Sequence, residues 1–193
     1  MKDKGSYRPS AKEIEEEIRV DKRRKSFWRV LSTTLFSLMC VAAAAILLAT
    51  QFFPTLKIYG SSMLPALKEG EIAVSVKGSS FETGDVVAFY YNNKLLVKRV
   101  ICGPGDWFNM QADGTIYVNG NRLEEPYIVE PSFGQCDLDL PYQVPEGHYF
   151  LMGDERESSV DSRLSQVGCI SVDQIVGKIV FCVWPPASIR KVK

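Results

Sequence analysis

Residues Asp85–Tyr91 read DVVAFYY and residues Leu95–Ile101 read LLVKRVI. Both are short, rich in β-branched and aromatic side chains, and bounded by turn-forming residues, the composition of strands in a packed sheet. Outward from them, Glu71–Val76 (EIAVSV), His148–Met152 (HYFLM) and Ile175–Val183 (IVGKIVFCV) carry the same signature. Thr115–Val118 and Asn121–Leu123 flank Asn119-Gly120, a pair that readily takes the positive φ angles of a tight β-hairpin. Residues 57–193 are therefore expected to form a mostly β domain on an antiparallel sheet. The stretch 107–147, richer in Pro, Gly and Asp, reads as a small inserted lobe.

The N-terminal third has a different character. Val30–Leu56 contains no charged residue, and Leu35–Phe53 reads LFSLMCVAAAAILLATQFF. A bilayer core about 30 Å thick needs roughly 20 apolar residues as a helix, so residues 30–56 are expected to be one transmembrane anchor. A buried core helix is disfavoured, because a domain of this size would hardly cover so long a helix on every side. A cleavable leader is disfavoured too, since its apolar region is normally about 7–15 residues behind a short basic stretch. Arg19, Lys22, Arg23, Arg24, Lys25 and Arg29 precede the span, against Lys57 and Lys68 after it. By the positive-inside rule, residues 1–29 form a cytoplasmic polar segment and the β domain lies outside. Ser10 and the acids that follow it suit a helix start, leaving a short helix and a solvated tail both open.

The 193 residues carry 23 basic and 23 acidic side chains. No whole-chain field points to nucleic acid. Of five cysteines, Cys40 lies in the apolar span. Cys102, Cys136, Cys169 and Cys182 would face the oxidising side, with disulfides and free buried thiols equally open. The only histidine is His148 and no CxxC occurs, so a zinc site is not expected; no other metal and no cofactor is expected either.

Three clusters carry candidate chemistry: Tyr59–Pro65 (YGSSMLP), Val97–Asp106 (VKRVICGPGD) and Met152–Arg163 (MGDERESSVDSR). Singly, each has a bland reading as a turn, a solvated lysine or a charged surface loop. Together, in this order and behind an apolar anchor, they resemble the type I signal peptidase family. The resembling boxes are Ser62-Met63-Leu64-Pro65, Gly84-Asp85-Val86-Val87, Lys98-Arg99 with Pro104-Gly105-Asp106, and Gly153-Asp154-Glu155-Arg156 with Ser159-Val160-Asp161-Ser162-Arg163. Gly177–Phe181 and Trp184-Pro185 resemble the closing strand, and the likeness runs from about Arg23 to Ile189.

The resemblance implies a membrane-bound serine endopeptidase with Ser62 as nucleophile and Lys98 as general base. The chemistry is sound in itself: a serine hydroxyl needs a neighbour to take its proton, and a lysine can do so only when neutral. Burial favours that form, and LLVKRVI has the apolar neighbours for it. By the same resemblance Ser159 holds the lysine amine, Asp161 pairs with Arg163, and Asp154 pairs with Arg99. Gly60, Ser61 and Met63 fall on the substrate and oxyanion side. The backbone N–H of Ser62 is the expected oxyanion donor, while Gly60 lacks the hydroxyl that some members carry there, as in Gram-positive-like short forms.

The implied substrates are secretory preproteins cut after Ala-x-Ala, bound as an extended peptide along Ile58–Ser61. The implied partners are the phospholipid membrane and the secretion translocase. Phe52 and Phe53 are expected at the membrane boundary; Trp107 and Phe108 read equally well as a membrane-facing pair or as core. Departures from the family pattern are Ala66 for threonine, Glu155 for asparagine and Cys102-Gly103 for Gly-Leu. The alternatives are a repressor-type autoprotease, disfavoured by the anchor, a catalytically inactive assembly or pilus chaperone of the same fold, and a Ser-His-Asp hydrolase using His148.

Overall fold

The structure is a computed structural model that describes residues 10–78 and 80–192. It divides into two compact units, residues 1–49 and 50–193. The described part of the first belongs to a helix, α1, which spans Ala11–Phe52 and so ends three residues into the second. The Ser10 carbonyl accepts its first hydrogen bond, from Ile14 N–H at 3.1 Å. At 1.5 Å per residue its 42 residues extend about 63 Å, and the apolar part from Val30 about 34 Å, close to a bilayer core. The helix is long and apolar enough to cross a membrane, and its apolar side chains are exposed. The Ser32, Thr33 and Thr34 hydroxyls donate to carbonyls three or four residues back, so these polar groups are satisfied within the helix. From Ala11 the polar segment before Val30 belongs to this same helix rather than to a separate short one, while residues 1–9 of the expected cytoplasmic segment lie outside the described residues. The helix ends before Pro54, because a residue preceding proline disfavours the α conformation, so residues 53–56 of the expected anchor are not helical.

The second unit is almost all strand. In chain order the strands are β1 (Thr55–Lys57), β2 (Ile72–Val76), β3 (Val86–Tyr91), β4 (Lys94–Cys102), β5 (Trp107–Met110), β6 (Ile116–Val118), β7 (Asn121–Arg122), β8 (Tyr142–Gln143), β9 (His148–Met152), β10 (Ile170–Ser171), β11 (Ile175–Trp184) and β12 (Arg190–Lys191). The larger sheet has the order β1-β2-β11-β3-β4-β9-β10, with β12 also on β11. The smaller has the order β7-β6-β5-β8. Every strand pair is antiparallel. Asn119 and Gly120 sit at φ 53° and 78°, the conformation expected of their hairpin.

The smaller sheet shares a core with the larger one. Phe108, Met110, Ile116 and Val144 pack with Ile101, Phe150 and Met152, and the Phe108 and Phe150 rings stack at 4.1 Å. Phe108 is therefore core, whereas Trp107 is 46% exposed. The cysteines are free thiols, with Cys102 and Cys182 buried. Burial in that core pushes the Cys102 thiol well above its ordinary value.

Between β1 and β2 the chain makes a compact turn over residues 58–71. Met63 and Leu67, 2% and 0% exposed, root it in the core beside Leu56, Ile58, Ala73 and Ile179. Leu67 N–H donates to the Met63 carbonyl at 2.8 Å, and Ile58 N–H to the Glu71 carbonyl at 2.8 Å. The C-terminal strand closes it: Arg190 forks onto Glu71 at 2.9 and 2.8 Å and donates to the Ala66 carbonyl at 2.5 Å. Glu71 in turn accepts from Lys68 N–H at 3.0 Å. Hydrogen bonding to Arg190 holds the Glu71 carboxyl down at about 2. A depressed carboxyl pKa stabilises the fold above its ordinary value of 4.5 and loses that effect as pH falls towards 2. Arg190→Ala is therefore expected to cost about 1–3 kcal/mol at pH 7, less than a wholly buried pair because Arg190 is partly exposed. Urea unfolding of parent and variant across pH 7 to 2 checks this: the gap should close on acidification.

Candidate active site

Lys98 and Arg99 occupy the middle of β4, between β3 and β9, and leave it on opposite faces. Both faces are covered, so both residues are buried, at 4% and 0% exposure. On one side the Lys98 Nζ donates to Ser159 Oγ at 2.9 Å. On the other, Arg99 forks onto Asp154, Nε to Oδ1 at 2.8 Å and Nη2 to Oδ2 at 2.7 Å. Arg99 also donates to the Gly84 carbonyl at 2.7 Å and lies 3.8 Å from the Tyr127 ring centre.

Ser62 and Lys98 line one cavity of about 50 Å³, with Ile58, Gly60, Met63 and Val97 among its other walls. The Ser62 carbonyl accepts from Glu155 N–H at 3.1 Å. Gly153 is the contact point between the Ser62 turn and the 153–163 loop. A Cβ there would lie 2.2 Å from Ser159 Oγ and 2.6 Å from the Ser62 carbonyl oxygen. Only glycine lets the two segments approach this closely.

The loop is held by buried guanidinium–carboxylate forks. Arg163 bonds Asp161 from Nε and Nη2, both at 2.9 Å, and reaches the Phe133 and Arg156 carbonyls. Asp161 also accepts from Gly153 N–H at 3.1 Å. Arg156 forks onto Glu125 and donates from Nε to the Gly153 carbonyl at 3.0 Å. Among the described residues, no buried polar side-chain atom lacks a hydrogen-bond partner.

Burial is the largest influence on Lys98 and pushes its ammonium down to about 8. Asp161 and Asp154 pull it back up, and Arg163 offsets part of that. The result is a lysine beside a serine, within reach of neutrality near physiological pH.

The family model described as "Signal peptidase, peptidase S26" matches residues 30–184. The chain belongs to this signal peptidase family. It is similar to Signal peptidase IB of Staphylococcus aureus (strain COL), 43% identical over 148 residues that cover 66% of this chain and 76% of the relative. Signal peptidase I U of Bacillus subtilis (strain 168) is 32% identical over 188 residues, covering 91% of this chain and 97% of that one. A crystal structure of a signal peptidase I from Enterococcus faecalis V583 superposes with TM-score 0.45 at 30% identity, covering 51% of this chain and 96% of the other. The protein is thus a hydrolase, a serine protease that removes signal peptides from secretory preproteins.

Of the residues singled out in the peptidase sequence, Gly60, Ser62, Met63 and Lys98 meet at the small cavity, and Ser159 meets Lys98. Ser61 is exposed and is not among the cavity's lining residues. Asp154–Arg99 and Asp161–Arg163 are paired behind it. His148 stands at the start of β9, its Nδ1 2.9 Å from the Glu146 carbonyl. It is four residues, or about 13 Å of strand, from Met152, which pairs with Arg99. Sequence reading missed Glu125, Tyr127 and the Glu71–Arg190 clamp, and it placed Gly153 and Arg156 in a box without assigning either a role. Arg156 sits inside a recognised box, but its partner is 31 positions away and no local spacing announces it.

Gly153→Ala is expected to lower kcat/KM by about 100-fold or more, because the new methyl group must displace Ser159 or the Ser62 backbone. Circular dichroism melts alongside precursor cleavage would separate this from unfolding; a folded variant of parental activity would contradict the close packing.

Proposed function

We propose that the peptidase cuts by a Ser62–Lys98 dyad. The observation that carries this reading is the buried Lys98 amine, held by Ser159, on the cavity it shares with Ser62. With a pKa of about 8, roughly one lysine in ten is neutral at pH 7. Neutral Lys98 takes the Ser62 hydroxyl proton as Oγ attacks the scissile carbonyl carbon. The negative charge on the carbonyl oxygen is met by the Ser62 backbone N–H; Gly60 offers no hydroxyl to help. The tetrahedral intermediate collapses as the Lys98 ammonium returns its proton to the departing amine, leaving an ester on Ser62. Lys98 then takes a proton from the water that attacks the ester carbonyl, and its ammonium returns that proton to Ser62 Oγ as the ester breaks, which frees the serine and leaves Lys98 neutral again. Ser159 positions the amine through these steps, and the Asp161–Arg163 and Arg99–Asp154 pairs position the loop that carries Ser159.

The small cavity supports a preference for alanine-sized side chains before the cut, with the peptide extended along Ile58–Ser61. The apolar helix and its basic N-terminal flank support a single-pass anchor in the cytoplasmic membrane. Residues 1–29 are then cytoplasmic and the domain from 57 onward, with its 107–147 insertion, extracytoplasmic. Phe52 and Phe53, 58% and 50% exposed, suit the boundary. The phospholipid membrane is one partner and the secretion translocase, which delivers preproteins, another.

Cleavage of an Ala-x-Ala precursor by the detergent-solubilised protein tests the dyad. Ser62→Ala and Lys98→Ala are each expected to lower kcat/KM by at least about 100- to 10,000-fold. A folded parent that cuts nothing would favour the inactive assembly protein instead. Because the base works only when deprotonated, kcat/KM should rise about tenfold per pH unit below pH 8 and level off above it. A flat profile from pH 6 to 9 would remove Lys98 as the base.

A further inference from the structure

A polypeptide cut at Ser62 needs space on both sides of the scissile bond. The small cavity beside Lys98 suits the side chain before the cut. A second cavity, of about 400 Å³, is lined by Leu64, Pro65 and Lys68, which follow Ser62 in the same turn, and by Val129, Glu130 and Glu155. It adjoins the reaction centre, because the Glu155 N–H that borders it donates to the Ser62 carbonyl. Its apolar walls are open to solvent: Val129 is 75% and Leu64 37% exposed.

The charges around this cavity do not cancel. Asp154 and Arg156 also line it, but each is neutralised by its own partner, Arg99 and Glu125. That leaves Lys68 against Glu130 and Glu155, two carboxylates to one ammonium, none of them in an ion pair among the described residues. The Glu155 carboxylate is fixed: its Oε2 accepts from Ser158 N–H at 3.1 Å and from the Ser158 hydroxyl.

We infer that this cavity is the subsite for the first residues of the mature chain, and that it takes a cationic, long-stemmed side chain. The stem lies on Leu64, Pro65 and Val129, and the charged head reaches Glu155 and Glu130, as amphipathic side chains do. The inference rests on Ser62 being the nucleophile. Selectivity here is a property of the leaving segment and is independent of the alanine-sized cavity.

Three peptides identical up to the cut, with Lys-Lys, Gln-Gln or Glu-Glu immediately after it, test the subsite. The parent is expected to favour Lys-Lys over Glu-Glu by about five-fold in kcat/KM, a ratio that shrinks with added salt. In a Glu130→Gln, Glu155→Gln variant the Lys-Lys to Glu-Glu ratio, with each rate taken relative to that protein's own rate on Gln-Gln, should fall to within about two-fold. Ser62-dependent cleavage with no preference in the parent, or a preference untouched by the double substitution, overturns the subsite alone. Cleavage that survives Ser62→Ala overturns the nucleophile and the subsite with it.

Discussion

The site depends on fork-shaped hydrogen bonds between buried guanidinium groups and carboxylates. Arg99 with Asp154, Arg163 with Asp161 and Arg156 with Glu125 tie the 153–163 loop to β4, to itself and to the segment after β7. Such pairs seldom add net stability over apolar packing, because both ions lose their water. They supply geometry: a planar fork fixes both partners, and removing one partner strands the other as a buried charge. The loop held this way delivers Ser159 Oγ to the Lys98 amine and lets Gly153 sit against the Ser62 carbonyl.

Within that frame, Lys98 is governed by a contest between desolvation and neighbouring carboxylates. A lysine as buried as this would be strongly neutralised if alone; Asp161 and Asp154 oppose that. Their pull is tempered because each carboxylate is already engaged by an arginine, and Arg163 itself opposes a second positive charge nearby. The guanidinium frame is thus both mechanical support and electrostatic counterweight. The Ser62 side is held by different means, with Met63 and Leu67 in the core and Arg190 clamping Glu71 and the Ala66 carbonyl.

The helix and the β unit treat their apolar side chains differently. The helix exposes its apolar side chains, which is consistent with lipid as their surroundings. The β unit buries its own cores, and its smaller sheet is fastened by shared aromatic packing rather than by disulfides among its described cysteines. Trp107 shows outward from that sheet while Phe108 points into the core, the alternation expected of adjacent strand residues.

The sequence by itself determined what is local. The long apolar run specified one helix, and β-branched runs between turn residues specified β2, β3, β4, β9 and β11. Asn119-Gly120 specified a hairpin through its tolerance of positive φ. The resemblance grouped Ser62, Lys98, Ser159 and the paired charges, and the fold brings these side chains near one another. Tertiary structure alone decided what depends on distant partners. Strands as short as β8 and β10 exist only because a neighbour completes their hydrogen bonds. Glu125 meets Arg156 and Glu71 meets Arg190 only after the sheets have closed, the latter across 119 positions. Whether Lys98 is a solvated cation or a base is likewise a tertiary matter, because the desolvation that lowers its pKa comes from packing on both faces of β4.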